Sequence, residues 1–581
     1  MALGLTSASG EPMNANVISH KMGRATAVFS LILLVLILLI AASGSTAVSQ
    51  SDPTASYIVQ AVDMETAVTA VQQVGGTITH KLGVINAVGA NLTIQQHQLL
   101  ENDTHVARIY DNHQISLSGG NNGSSSSAVV LDTYVPTIIE ADLLHNLKGG
   151  KNVVKIRGTG VTVAVLDTGI MNDSFLLTTS TGESRPVVHY DAVADKFTTS
   201  PGNTDGSGHG SHVSSITLSS GALNGLYNGV APDANLVMVK AFNDQGVGTY
   251  LDVIRGMNWI LDNKDAFNIR VVNLSFSAPP QSYYWDDPLN QAVMRAWQAG
   301  IVVVAAAGNS GPDPMTIGVP GNVPYIITVG AFSDNYTPLD DDDDFLTTFS
   351  AAGPTYEGFV KPEIIAPGGH VLGLMKNGTY LAVNYPEFHI EDRYFIMSGT
   401  SQATAVVSGV AALMLQKDPG LTPDDVKCRM MLTARPALAD NQALAYSILQ
   451  QGAGRVNAWD ATFSTDTGCA NQGMDISLDL SGAAHYQGNV GKDENGNFYL
   501  LDKEGYVWNE GNFWSGGNFW SGGNFWSGGN FWSGGNFWSG GNFWSGGNFW
   551  SGGNFWSGSF VPDTNVAMNA AMTINTWVPQ E

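Results

Sequence analysis

At 581 residues the chain is long enough for two or more domains with at least one large core. Only 13% of its residues are charged, yet 50 Asp and Glu stand against 25 Lys and Arg, giving a net charge of −25. So acidic a balance argues against nucleic acid and anionic membrane surfaces as partners, and two cysteines, Cys428 and Cys469, are too few for a disulfide framework. They form one bridge if the chain is exported, or remain two buried thiols.

In chain order, Lys21 and Arg24 precede a sixteen-residue run, 27–42, in which only Ser30 is polar, and small residues follow it. A charged start, an apolar centre and a small-residue exit predict a secretory signal within residues 1–50. The alternative is a retained anchor, although the run falls short of the ~20 residues that span a bilayer. The chain is thus expected outside the cell, either free or held at the envelope.

Residues 51–117 predict a small α+β module. Tyr57-Ile58-Val59 reads as a strand, the spacing of Ala67, Val68, Val71 and Val74 as a helix, and residues 84–88 as a second strand. A further helix-like stretch runs to His105, before a last strand. Residues 118–130, rich in Gly, Asn and Ser, form a flexible, cleavable linker.

Beyond Gly160 the pattern changes to near-continuous apolar runs at 161–166, 236–239, 271–275, 301–305 and 326–329, separated by helical stretches. Strands without alternation are buried on both faces, so the runs predict a mostly parallel sheet between helical layers, an α/β fold. Such sheets place their working residues at strand carboxyl ends. There the sequence has Asp167-Thr168-Gly169 and Ala306-Ala307-Gly308-Asn309, while His209 opens a helix within Asp205-Gly206-Ser207-Gly208-His209-Gly210.

Gly399-Thr400-Ser401 precedes the small-residue apolar run 405–415. Alone, each of these residues has a plainer reading: Ser401 as a helix cap, Asp167 as a turn former, His209 as a structural residue at a helix start. Together they supply an acid, a base and a nucleophile, each at an element boundary able to converge on one site.

The segments VAVLDTG (163–169), DGSGHGSHV (205–213), VVNLSFS (271–277), VVVAAAGNSG (302–311), GVPGNVPYIITVGA (318–331), KPEIIAPG (361–368) and GTSQATAVVSGVAAL (399–413) together resemble the subtilisin-like serine proteases, or subtilases. The resemblance implies a catalytic domain over 131–465 and a secreted serine endopeptidase made as a zymogen, with residues 51–117 as an inhibitory prosegment. It implies Ser401 as nucleophile, His209 as general base and then acid, and Asp167 as the group that orients His209. Asn309 and the Ser401 amide become the oxyanion donors.

By the same resemblance Leu274, Ser275, Phe276, Ser277, Ala306, Ala307 and Gly308 wall the pocket for the residue before the cleaved bond. Gly246, Val247 and Gly248 form the edge that pairs with extended peptide. No charged residue lies in the pocket segments, so apolar residues are expected there. Polypeptides are the expected substrates. Gln402 stands where the family usually has Met, and Ala405-Val406 where Pro-His is common.

No cofactor is expected for the chemistry. A structural Ca²⁺ is weighed at Asp340, Asp342 and Asp344, within a run of five aspartates, against a solvated acidic loop. His212, three residues after His209, reads as structural, because two His without a third ligand make a poor metal site.

Residues 466–511 are a polar connector. From Asn512, Asn-Phe-Trp-Ser-Gly-Gly recurs in eight copies through residue 558, the last ending Gly558-Ser559, ahead of a tail at 559–581. A six-residue period is even, so an extended chain puts every Phe on one face and every Trp on the other. One reading is an ordered ladder that binds glycan or cell surface, and the other is a flexible spacer. A noncatalytic adhesive protein is the rival reading of the whole chain. An α/β-hydrolase is disfavoured by the order Asp, His, Ser and by Gln402-Ala403 after the serine.

Overall fold

The structure, a computed structural model, describes residues 53–115, 134–148, 154–199, 202–439 and 443–501. The apolar run at 27–42, the linker at 118–130, the repeats at 512–558 and the tail at 559–581 lie outside the described residues.

The N-terminal module is a four-stranded sheet carrying two helices. Its elements are β1 (Thr54–Ala61), α1 (Met64–Gln73), β2 (Thr77–Leu82), β3 (Ala87–Thr93), α2 (Ile94–Glu101) and β4 (Val106–Asp111), with strand order β2-β3-β1-β4. This corrects the sequence reading in two places. Residues 77–82 are a strand where none was expected. Residues 83–85 form a 3-10 turn, so the second expected strand begins only at Ala87. Asp63 caps α1 by accepting from the Thr66 amide at 2.7 Å, and Thr93 and Gln96 form a reciprocal capping box on α2. Val59, Val71, Val88 and Leu92 give the module its own small core, while Ile58, Leu82, Ile85 and Ala87 join the main core. The module ends in a two-residue strand, β5 (Gln114–Ile115).

The large sheet is built on β6 (Thr162–Asp167), β7 (Val187–Asp191), β8 (Asn235–Lys240), β10 (Ile269–Leu274), β11 (Val302–Ala306), β12 (Ile327–Ser333) and β13 (Ile364–Pro367). Neighbouring strands run β13-β12-β11-β10-β6-β8-β7, all parallel. Two short antiparallel strands, Lys196–Thr198 and Phe345–Leu346, pair with β7 and β12. Every residue of β6, β11 and β12 is buried, as near-continuous Val, Ile and Ala runs require.

The chain proceeds from β6 to one side and returns to β10 on the other. The strand order therefore reverses between them, and the crevice outside their carboxyl ends is where a site belongs.

Helix α3 (His209–Leu218) and the central helix α6 (Thr400–Lys417) lie against one another within the core. In α6 all residues from Thr400 to Leu415 are buried, and Ala, Ser, Thr, Val and Gly make up most of them. Gly409 lies so near Val230 that a Cβ there would sit 2.5 Å from the Val230 Cβ. Short strand β9 (Gly248–Thr249) leads into α4 (Tyr250–Asn263), and α5 (Pro288–Gln298) follows β10. Among the described residues no helix is long and apolar enough to cross a membrane.

Helix α7 (Pro423–Thr433) carries Cys428, which is bonded to Cys469 with 5.2 Å between their Cα atoms. Of the two readings of the cysteines, the bridge is the one present. The connector then continues as α8 (Ile476–Leu480) and a hairpin of Val490–Lys492 with Phe498–Leu500.

Candidate active site

Asp167, the last residue of β6, and His209, the first of α3, are both fully buried. His209 Nδ1 lies 2.8 Å from Asp167 Oδ1 and 2.9 Å from Oδ2. The loops that carry them nearly touch, since a Cβ at Gly210 would overlap the Gly169 carbonyl oxygen, and this explains the glycines of both motifs.

Asp205 locks the approach. Its Oδ1 accepts from the Thr168 hydroxyl at 2.8 Å and the Gly208 amide at 2.8 Å, and its Oδ2 accepts from the Ser211 amide at 2.8 Å. Thr168 Oγ1 in turn accepts from the Gly210 amide at 2.8 Å. One buried carboxylate thus holds the strand end of the acid against the helix start of the base.

Ser401 is not a cap. The N-cap position is Gly399, without a side-chain cap, and Ser401 is the second residue of α6. Its Oγ donates to the Ser275 carbonyl at 2.8 Å, while Ser275 Oγ donates to the Ser401 carbonyl at 2.9 Å. Asn273 and Ser408 extend this network, with Asn273 Nδ2 donating to Ser275 Oγ at 2.8 Å and Ser408 Oγ donating to Asn273 Oδ1 at 3.0 Å. His209 Nε2 is buried with no hydrogen-bond partner among the described residues.

Asn309 follows β11. Its Oδ1 accepts from the Thr400 amide at 3.0 Å and the Thr400 hydroxyl at 2.8 Å, which fixes the amide plane. Nδ2 is left as a buried donor without an acceptor among the described residues. An unpaired donor in a dry site is unfavourable unless something negative visits it.

The expected pocket segments divide. Leu274 and Phe276 belong to the main core cluster. Ser277 faces Gly308 and Gly318. A Cβ on Gly308 would lie 2.9 Å from Ser277 Oγ, and one on Gly318 would overlap it. Ala307, Ile317 and Ala351 cluster beside them. Ala306 is the buried end of β11. On the other side, Gly248 of β9 pairs antiparallel with Ile115 of β5, and Thr249 pairs with Gln114. Gly246 and Val247 turn the chain into that edge, through amides donated to the Asn243 carbonyl at 2.9 Å and to Asn243 Oδ1 at 3.0 Å.

The model of the Subtilase family matches residues 158–459. The chain belongs to the subtilase family. Serine protease AprX of Bacillus subtilis is 38% identical over 381 residues, covering 64% of this chain and 78% of AprX. Subtilisin E of Bacillus subtilis is 31% identical over 376 residues, covering 63% and 79%. Fervidolysin from Fervidobacterium pennivorans, described as a keratinolytic enzyme related to subtilisin, shares the fold with a TM-score of 0.53 at 19% identity. That match covers 78% of this chain and 66% of fervidolysin. This subtilase is a serine endopeptidase that acts on polypeptides.

Two features set this subtilase apart locally. Gln402 is fully buried, and its Nε2 lies 3.4 Å from His212 Nδ1. Burial pushes His212 down to about 3, so its ring is neutral. Its Nε2–H donates to the Phe395 carbonyl at 3.0 Å, leaving Nδ1 to accept from Gln402. His212 is structural, as expected. Ala405 takes the usual proline position, and its carbonyl accepts from the Thr217 hydroxyl at 3.1 Å, tying α6 to α3. Val406 is buried in the core.

The aspartate run does not form a cage. Asp344 and Asp341 pair with Arg455, and Asp343 accepts from Asn335 and Thr337, so Asp340, Asp342 and Asp344 are not drawn together. Among the described residues no three His, Cys, Asp or Glu side chains converge as a metal site needs.

Asp205, Thr400, Asn273 and Ser408 escaped the sequence reading as functional groups. Asp205 had a signal, being an Asx residue opening a Gly-rich turn before His209. Thr400 was hidden by its likeness to a cap.

Proposed function

We propose that this endopeptidase cleaves by an acyl-enzyme route in which Ser401 attacks, His209 relays the proton, and Asp167 holds and charges-balances His209. The observation that carries the reading is the bifurcated Asp167–His209 contact with Nε2 left unpartnered in a buried site. Ser401 Oγ must leave the Ser275 carbonyl and turn to Nε2 before it attacks. That rotation frees the carbonyl to accept an N–H from the substrate.

As the tetrahedral intermediate forms, Asn309 Nδ2 and the Ser401 amide donate to its oxyanion. Thr400 supports this by fixing which end of Asn309 points inward. The acid, base, nucleophile and donor are all protein groups, so we assign the cleavage to them alone. Ala307, Ile317 and Ala351 favour an apolar residue before the scissile bond.

We further read residues 51–117 as an inhibitory prosegment, because β5 occupies the edge that would otherwise pair with substrate. The chain is then an exported zymogen, and the aromatic repeats act as its adhesive part toward glycan or cell surface.

The test uses a fluorophosphonate and an unfolded protein substrate, before and after removal of the prosegment. Processed wild type is expected to label and cleave, Ser401→Ala to do neither, and Asn309→Ala to lose about 100-fold to 1000-fold in kcat. A processed wild type that neither labels nor cleaves sinks the reading.

A further inference from the structure

The connector that follows the family-matched residues 158–459 reaches back to the two loops that leave the pocket segments. We propose that Asp479, on α8, is a positioning residue for peptide cleavage. It clasps the two loops that wall the pocket, so the connector sets how large a side chain the enzyme accepts before the scissile bond. This rests on the pocket reading given above.

Asp479 is 2% exposed, and its Oδ2 accepts from Tyr284 OH at 2.5 Å and from Tyr325 OH at 3.1 Å. Its Oδ1 lies 2.7 Å from His485 Nδ1. Tyr284 ends the loop that leaves the pocket at Ser277-Ala278, and Tyr325 ends the loop that leaves it at Gly318-Val319. Both phenol rings are buried.

At the pocket itself the loops are joined once more. The Ala278 amide donates to the Val319 carbonyl at 3.0 Å and the Val319 amide to the Ala278 carbonyl at 2.7 Å. Each loop is therefore pinned by a backbone pair at the pocket and, at its far end, by its tyrosine: Asp479 takes both phenols, Glu357 Oε1 accepts from the Tyr284 amide at 2.8 Å, and Asn471 and Lys427 donate to the Tyr325 carbonyl at 2.8 and 3.2 Å.

Both phenols donate to one carboxylate oxygen in a buried site. Replacing the carboxylate by a carboxamide exchanges two charge-assisted hydrogen bonds for weaker neutral ones and loosens the clasp on both loops. The consequence reaches the pocket because its tolerance is small, with Gly318 leaving no room for a Cβ against Ser277 Oγ. A displacement of about 1 Å in a site of this kind costs up to 100-fold in rate. Asp479 touches Tyr284, Tyr325 and His485, none of them in the triad, so the chemistry itself should survive its loss.

The experiment compares full-length, self-processed wild type with Asp479→Asn, Tyr325→Phe and the double variant. The substrates are two anilide peptides that differ only in Phe or Ala before the scissile bond. Asp479→Asn is expected to change the Phe-to-Ala ratio of kcat/KM by about tenfold through KM, with kcat on the Ala peptide and fluorophosphonate labelling unchanged. Tyr325→Phe should move the ratio the same way by less, and the double variant should be less than additive.

An unchanged ratio in both single variants, whatever happens to Tm, overturns the proposal. If Asp479→Asn fails to fold, Tyr325→Phe decides, since it keeps the ring and loses one hydroxyl. If wild type does not discriminate Phe from Ala at all, the pocket reading fails and this proposal fails with it.

Discussion

The four-stranded module at residues 54–115 and the connector at residues 466–501 both lie outside the family-matched region, yet they are fastened to it by different chemistry. The module's polar contacts run from half-buried to exposed. Arg108 meets Asp286 at 2.7 Å with its side chain 50% exposed, Gln60 Nε2 donates to Gln291 Oε1 at 2.8 Å, and the Val84 amide donates to Asn258 Oδ1 at 2.7 Å. His80 also faces Asp252 at 3.6 Å, the Leu251 amide donates to Asn112 Oδ1 at 3.2 Å, and the module offers Ile58, Leu82, Ile85 and Ala87 to the core and a two-residue strand to the substrate edge.

The connector's main attachments are covalent or buried. Cys469 is bonded to Cys428, and Asn471 donates to the Tyr325 carbonyl at 2.8 Å and accepts from Lys427 at 3.2 Å. Asp479 is buried with its two tyrosines. Water and a competing peptide can replace contacts of the first kind, and neither can replace the second. A segment read as leaving on maturation is thus attached replaceably, and a segment that stays is built in.

The largest expected effect comes from cutting the permanent attachment. Cys428→Ala with Cys469→Ala opens a loop of 41 residues, and the free energy of unfolding should fall by about 4 kcal/mol in denaturant titration. A loss no larger than that of one of the module's polar contacts would erase the distinction.

Next is the buried ionic anchor beneath the connector. Lys361 and Lys427 share Glu363, at 2.7 and 2.9 Å. Burial holds Lys361 down to about 7, with Glu363 opposing that and Lys427 adding to it. Between about pH 7 and the ordinary lysine value of 10.5, the unfolded chain keeps this proton while the folded chain has released it. Stability contributed here therefore rises with pH, by about 2 kcal/mol from pH ~7.5 to ~9, and Lys361→Met should remove that slope from the melting profile.

How much of this was legible depends on the distance over which each feature is made. The five core strands could be read because burial on both faces writes itself as continuous Val and Ile. Strand β2 could not, since Thr77-Ile78-Thr79-His80-Lys81-Leu82 presents a largely polar face and only two aliphatic residues. Asp167, His209, Asn309 and Ser401 could be picked out as candidates because Asp167 ends a strand, His209 begins a helix, and Asn309 and Ser401 lie within three residues of such a boundary. The turn of Ser401 Oγ toward Ser275 was not, because a rotamer leaves no trace in residue types. Asp479 was invisible for another reason: its partners lie 195 and 154 residues away, and nothing local marks it as more than one acid among fifty.

On the replaceable side, Asn258→Ala leaves the Val84 amide without its acceptor. The cost should be about 1 to 3 kcal/mol of module docking. It should appear as faster fluorophosphonate labelling of the unprocessed chain, with the processed enzyme unaffected. Unchanged labelling would mean that the apolar contacts of Ile58, Leu82 and Ile85 hold the module by themselves.

Arg108→Ala should have the smallest effect. The Arg108–Asp286 pair is short, but its arginine is half in water, so Coulomb attraction there is weak and part of it is offset by ordering a long side chain. The expected loss of docking is below about 1 kcal/mol, and it should shrink further as salt is raised, because exposed charges are screened over about 10 Å at 0.1 M. Labelling rates of the unprocessed chain at low and high salt make the measurement, since the wild-type rate should rise with salt toward the variant's. A variant effect of several kcal/mol that ignores salt would place Arg108 with the buried attachments, and the contrast between the two flanking segments would then rest on the disulfide alone.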